Sequence, residues 1–167
     1  MKSINLIYVL LAVWASSPAA AQYVYEADQA LIDLQSNYIA TSYNFNVGDD
    51  QVGSMHNLGF TFDFYGEAFT QARMATNGCL HFKSSGAYCN DYTPDPLTGQ
   101  HTYTLYPFWT DLIRGNANQT GYNKASKMLF KDFGDYVVFG WYYMKEYNRN
   151  SSNSFEAILY ENNSFEY

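Results

Sequence analysis

The chain has 167 residues, enough for one domain with a sizeable core. Aromatic residues make up 19%, including 17 Tyr and 12 Phe, a bias that favours strands over helices. Asp and Glu number 16 against 9 Lys and Arg, and the net charge of −7 with no basic run excludes a nucleic-acid partner.

Met1–Ala21 reads as a secretory signal, with Lys2 as the positive end, Ile4–Ala15 as the apolar stretch and Ala19-Ala20-Ala21 before the cleavage point. The apolar run is shorter than the roughly 20 residues a membrane span needs, and no second candidate follows. The mature chain is therefore expected to begin near Gln22, outside the cytoplasm, as a soluble or peripherally attached protein.

Residues 22–41 form a lead-in in which Ala27, Leu31, Leu34 and Tyr38 have approximate helical spacing but poor cap signals. Tyr43, Phe45 and Val47 alternate with asparagines and predict a first strand, ended by a turn at Gly48–Gln51. Leu58, Phe60, Phe62 and Phe64 then fall on one face of a strand, with Gly59, Thr61 and Asp63 on the other. Tyr65–Ala68 breaks this run and Phe69–Thr76 resumes it. Asn77-Gly78 predicts a type I′ turn, because both residue types tolerate positive φ. Ser84–His101 contains Pro94 and Pro96 and reads as a long loop, which in a compact domain is often functional.

Tyr103–Ile113 is extended and aromatic, with an edge or bend expected at Pro107. After a polar stretch over Gly115–Ala125, Ser126–Phe133 predicts a strand. Tyr136–Met144 is apolar at successive positions and predicts a central strand covered on both faces. A polar turn over Tyr147–Ser154 precedes a strand at Ser154–Tyr160, and Glu161-Asn162-Asn163 turns the chain into Ser164–Tyr167. The sequence ends inside this last extended run, and the expectation is a fragment of a longer secreted protein. The fold class expected for residues 42–167 is an all-β antiparallel sandwich.

Three stretches in order resemble the NIDO domain, the extracellular module of nidogen, and its bacterial look-alikes. They are Leu58–Phe82 with Thr76-Asn77-Gly78, Pro107-Phe108-Trp109-Thr110-Asp111, and Asn153-Ser154-Phe155-Glu156 leading to an Asn-rich hairpin. The resemblance covers most of Tyr43–Tyr167. It implies a secreted β-rich module used in matrix or surface adhesion, without catalysis. No EGF-like cysteine array accompanies it, and the Asp/Pro loop after Cys89 has no counterpart in the general pattern.

In a secreted chain the two cysteines, Cys79 and Cys89, are expected to form a disulfide. Closing so short a loop stabilises by about 2.5–3 kcal/mol. Asp49, Asp50, Asp91, Asp95 and Asp111 are the candidate oxygen donors for calcium, which needs about six to eight oxygens. Aspartates are also common turn formers. Tyr88, Asp91, Tyr92, Asp95 and Trp109 are the candidate contact residues, and Tyr103 and Tyr106 extend the aromatic set. Such rings either anchor an interface or pack in a core.

His56, His81 and His101 lack the spacing of a metal pair and are expected at the surface or hydrogen-bonded. Glu156 and Glu166 could share an outward face beyond Glu161, the one arrangement here that suits a hydrolase. Asn118, Asn150 and Asn162 head glycosylation sequons. The expected function is contact recognition of an extracellular protein or matrix partner by loops at one end, chiefly Cys89–Gly99. A carbohydrate-binding module is the alternative.

Overall fold

The computed structural model describes residues 43–44, 49–85, 89, 103–114 and 126–167. The signal sequence, the lead-in segment, His101, the Asn118 sequon, Tyr88, Asp91, Tyr92 and Asp95 lie outside the described residues. Among those described there is no helix, and none long and apolar enough to cross a membrane.

Among the described residues, ten strands form two antiparallel sheets. The first has the order β1 (Tyr43–Asn44), β7 (Lys127–Asp132), β8 (Tyr136–Glu146), β9 (Asn153–Tyr160), β10 (Phe165–Glu166). The short β6 (Leu112–Ile113) pairs with the last residues of β8, beyond the reach of β7. The second sheet has the order β2 (His56–Phe64), β3 (Glu67–Met74), β4 (Leu80–His81), β5 (Thr104–Leu105). The architecture is the expected all-β sandwich, and the bend at Pro107 separates β5 from β6 as its missing N–H requires.

The core lies between the sheets. Leu58, Phe62, Phe64, Ala72, Met74 and Phe82 from one sheet meet Met128, Phe139, Trp141, Met144 and Leu159 from the other. Phe62 and Phe82 stack at 5.4 Å, and Phe82 also meets Phe64 at 5.0 Å and Phe69 at 5.2 Å. Burying each such ring stabilises by about 1.5–3 kcal/mol. The expected alternation in β2 holds, with Phe60 only half-buried. Strand β8 is covered on both faces: Val137, Phe139 and Trp141 join the main core, while Val138 and Tyr142 join a second cluster with Leu129 and Ile158.

The expectation of a type I′ turn at Asn77-Gly78 is corrected. The two-residue turn with positive φ at both central positions is Tyr65-Gly66 (φ 50° and 83°), closed by the pair Phe64↔Glu67. At Asn77-Gly78 only the glycine has positive φ, at 80°. There Ala75 N–H donates to Cys79 O (2.8 Å) and Gly78 N–H donates to Ala75 O (3.2 Å), which is a three-residue loop with a left-handed third residue. Asn77 stays out of the left-handed region because its side chain is committed inward, as described below. The β9–β10 connection repeats this loop: Tyr160 N–H donates to Ser164 O, Asn163 N–H donates to Tyr160 O, and Asn163 takes the left-handed position.

The expectation that Glu156 faces outward with Glu166 is also corrected. Glu156 is 2% exposed and accepts a hydrogen bond from the Tyr142 hydroxyl, whereas Glu166 is exposed. A bulge in β8 causes this. Tyr142 and Tyr143 together oppose Ser154, and Tyr143 has φ 52°. The Tyr142 ring folds over Gly140, where an added Cβ would lie 2.4 Å from a ring carbon, and this brings the phenol to the carboxylate paired across the strand. His81 is 1% exposed and hydrogen-bonded, one of the two settings expected for it, with Nδ1 at 2.9 Å from Thr104 Oγ1.

Candidate functional site

The disulfide, Tyr106, Trp109 and three of the candidate aspartates lie at one end of the sandwich, around the loop Ala75–Cys79. This loop is entirely buried. The segment Asp50–Gly53 runs beside it: Thr76 N–H donates to Gln51 O (2.8 Å) and Gly53 N–H donates to Met74 O (2.8 Å). From below, Trp141 Nε1 donates to Ala75 O at 2.9 Å while its ring stacks on Phe155 at 5.0 Å. From the side, the bend after β5 closes in, with Phe108 N–H reaching Gly78 O at 3.4 Å.

Asn77 joins these pieces. It is fully buried. Its Oδ1 accepts from Leu112 N–H at the start of β6 (2.9 Å), and its Nδ2 donates to Asp50 Oδ1 (2.9 Å). One amide thus ties the hairpin loop to a strand of the other sheet and to the acidic turn. A buried amide with both ends used fixes geometry that an apolar contact would leave loose. In sequence Asn77 reads only as a turn former; nothing local signals that its side chain points into the protein.

Asp49, Asp50 and Asp111, remote in sequence, present carboxylate oxygens within 4.8 Å of one another. These are three of the five aspartates expected as calcium donors; the other two lie outside the described residues. Asp49 and Asp50 are exposed and Asp111 is half-buried. The Asp111 backbone is held by Tyr147 N–H, which donates to its carbonyl at 2.9 Å. Crowding shows in proton affinity. Desolvation first, then the charges of Asp50 and Asp49, raises the Asp111 carboxyl above its ordinary value, and desolvation followed by Asp50 does the same for Asp49. The donor set suits a hard cation, with backbone carbonyls and water needed to complete about six to eight ligands.

A raised carboxyl pKa in the folded state means that the stabilisation is complete at low pH and is lost as pH rises through the folded value. Asp111→Asn is therefore expected to raise Tm near pH 7 and to leave it unchanged near pH 3, where the carboxyls are protonated in both states. The gain should stay below about 1 kcal/mol because these groups are largely solvated. Thermal melts across that range read the effect, and equal stability of the two proteins at every pH would dismiss the repulsion. Repeating the melts with calcium tests the cation: a rise in Tm that Asp111→Asn abolishes supports it, and no rise removes it.

The disulfide Cys79–Cys89 forms as expected and is buried beside the loop. Val52, Tyr106 and Trp109 pack on it, and Tyr106 and Trp109 stack on each other at 4.8 Å. Both rings are half-buried, packed on the disulfide on one side and open to solvent on the other. Tyr103 belongs elsewhere: its ring meets Phe69 at 5.2 Å and Lys83 at 3.9 Å, and its hydroxyl donates to Glu67 at 2.6 Å.

The all-β sandwich agrees with what the three sequence stretches imply, and residues 23–167 match the family model described as NIDO related. The chain belongs to the NIDO-related family. No curated protein and no solved structure matches it. Within a NIDO-related domain the Asn-Gly loop is thus both the hairpin end and the point where two sheets and an acidic turn are fastened. Family and intramolecular disulfide are compatible with an extracellular location.

Proposed function

We propose that this NIDO-related domain is a secreted interaction module that holds an extracellular protein or matrix partner at the end built on Ala75–Cys79. The observation that carries this reading is the gathering of three kinds of contact group at one rigid place. The Tyr106–Trp109 pair, the three aspartates and Cys89, from which the Asp91–Gly99 stretch continues in sequence, all adjoin the buried loop. Half-exposed aromatic rings supported by a cross-linked core anchor interfaces at little entropic cost. A framework of paired strands keeps such groups in place while the segments between strands vary.

Partly exposed stacked rings also suit sugars, so a carbohydrate-binding module is the second reading. The test presents the immobilised full chain to purified extracellular-matrix proteins and to a glycan array. Retention of a matrix protein is expected, reduced at least about tenfold by Trp109→Ala with Tm within a few degrees of the wild type. Retention of defined sugars with the same sensitivity would transfer the assignment to the carbohydrate reading. Binding to neither panel, or binding that ignores the substitution, would overturn both.

A further inference from the structure

The end of the sandwich opposite the Ala75–Cys79 loop carries a second surface. Strand β8 has 11 residues, so its first residue lies roughly 33 Å from its last. At that first residue three rings form a row: Phe133 and Tyr136 stack at 4.7 Å and 11°, and Tyr136 and Tyr160 lie at 5.6 Å. Phe133 is 40% exposed, and Tyr136 and Tyr160 are half-buried at the rim of the second cluster.

Carboxylates border the row. Asp135, Glu161 and Glu166 are all exposed. Glu161 N–H donates to Asp135 O (2.9 Å), which joins the β7–β8 turn to the β9–β10 turn, and the Tyr160 hydroxyl donates to Glu166 Oε2 (3.2 Å). Desolvation first, then the negative charge of Glu166 and Asp135, raises the Tyr160 hydroxyl pKa, so the field of these groups reaches the ring edge. The nearby cation is Lys131, whose Nζ lies 5.8 Å over the Phe133 ring. A cation over an aromatic face is therefore already realised once within this surface.

We propose that this aromatic and acidic face is a docking surface for an arginine- or lysine-rich extended segment of a partner protein. Guanidinium groups stack on exposed rings and form charge-assisted pairs with neighbouring carboxylates, and an apolar helix does neither. A chain of net charge −7 draws such a segment in before contact, and the turns that hold Asp135 and Glu161 are mutually hydrogen-bonded, so the face needs little ordering on binding.

The test titrates the full chain into a labelled eight-residue arginine peptide and follows fluorescence anisotropy at low and at high salt. Binding is expected at low salt and should weaken at least about tenfold at high salt. Phe133→Ala, which alters no charge, should weaken it by about threefold to fivefold, and Phe133→Leu should do the same. The triple replacement Asp135→Asn, Glu161→Gln, Glu166→Gln should weaken it by about tenfold or more. Tm is measured for each variant, and the leucine variant serves if the alanine variant loses stability. Wild-type affinity in both Phe133 variants would overturn the proposal, because net charge alone would then explain the attraction. So would undiminished binding in the triple variant, or no binding at low salt.

Discussion

Gly78→Ala is expected to destabilise the domain by about 4 kcal/mol or more, at the severe end of single substitutions. Two causes add. Gly78 has φ 80°, where an L side chain is strained by about 1–2 kcal/mol. The larger cause is space: an added Cβ would sit 2.0 Å from the Phe108 carbonyl oxygen and 2.8 Å from its carbon. That neighbour is backbone, held by Phe108 N–H donating to Gly78 O, so relief requires moving the bend that carries Trp109. Gly66 separates the causes. It has φ 83° in the turn at the other end of β3, yet nothing lies within 4 Å of its added Cβ. Gly66→Ala should cost about 1–2 kcal/mol, the strain alone. Chemical denaturation of both variants decides the matter, and equal losses would show that the approach of Phe108 is of no consequence.

Asn77→Asp should have the second largest effect. The carboxylate can still accept from Leu112 N–H, but the donor to Asp50 is replaced by an acceptor of the same charge. A fourth carboxylate, fully buried, then faces the cluster of Asp49, Asp50 and Asp111. Leaving a buried charge without compensation costs about 3–5 kcal/mol. The loss should be greatest near neutral pH and shrink on acidification, because a buried, repelled carboxyl binds its proton more tightly in the folded state than in the unfolded one. Asp50→Asn in the same background should recover part of it, since an amide can again donate across the gap. Melts of the single and double variants between about pH 4 and pH 7 read this. A loss independent of pH and unrelieved by Asp50→Asn would mean that Asn77 acts only through its fit in the loop.

Both substitutions strike the same few residues, which locates the rigidity of the proposed contact end. The Tyr106–Trp109 pair and Asp111 lie on the stretch between β5 and β6, held at one side by the β4–β5 pairing and at the other by Leu112 N–H on Asn77. Gly78 lets that stretch approach, and Asn77 fastens it. A partner docking there meets groups whose positions are already set.

Local pattern by itself determined the strands. Alternation in Leu58–Phe64 and the unbroken apolar run of Tyr136–Met144 assign faces because side chains in a strand point to opposite sides, whatever surrounds them. The pairing of two cysteines and the bend at Pro107 follow from covalent chemistry, which also needs no neighbours. What only the tertiary structure decided was where polar side chains point. Asn77 reads as an ordinary turn residue, and its inward amide exists because β6 and the Asp50 turn arrive beside it from far along the chain. Glu156 reads as an outward carboxylate, and the bulge at Tyr142–Tyr143 encloses it. For the same reason Asn77-Gly78 does not take the type I′ turn its residues favour. A turn preference is worth about 1 kcal/mol or less, and a buried amide hydrogen-bonded to partners distant in sequence outweighs it.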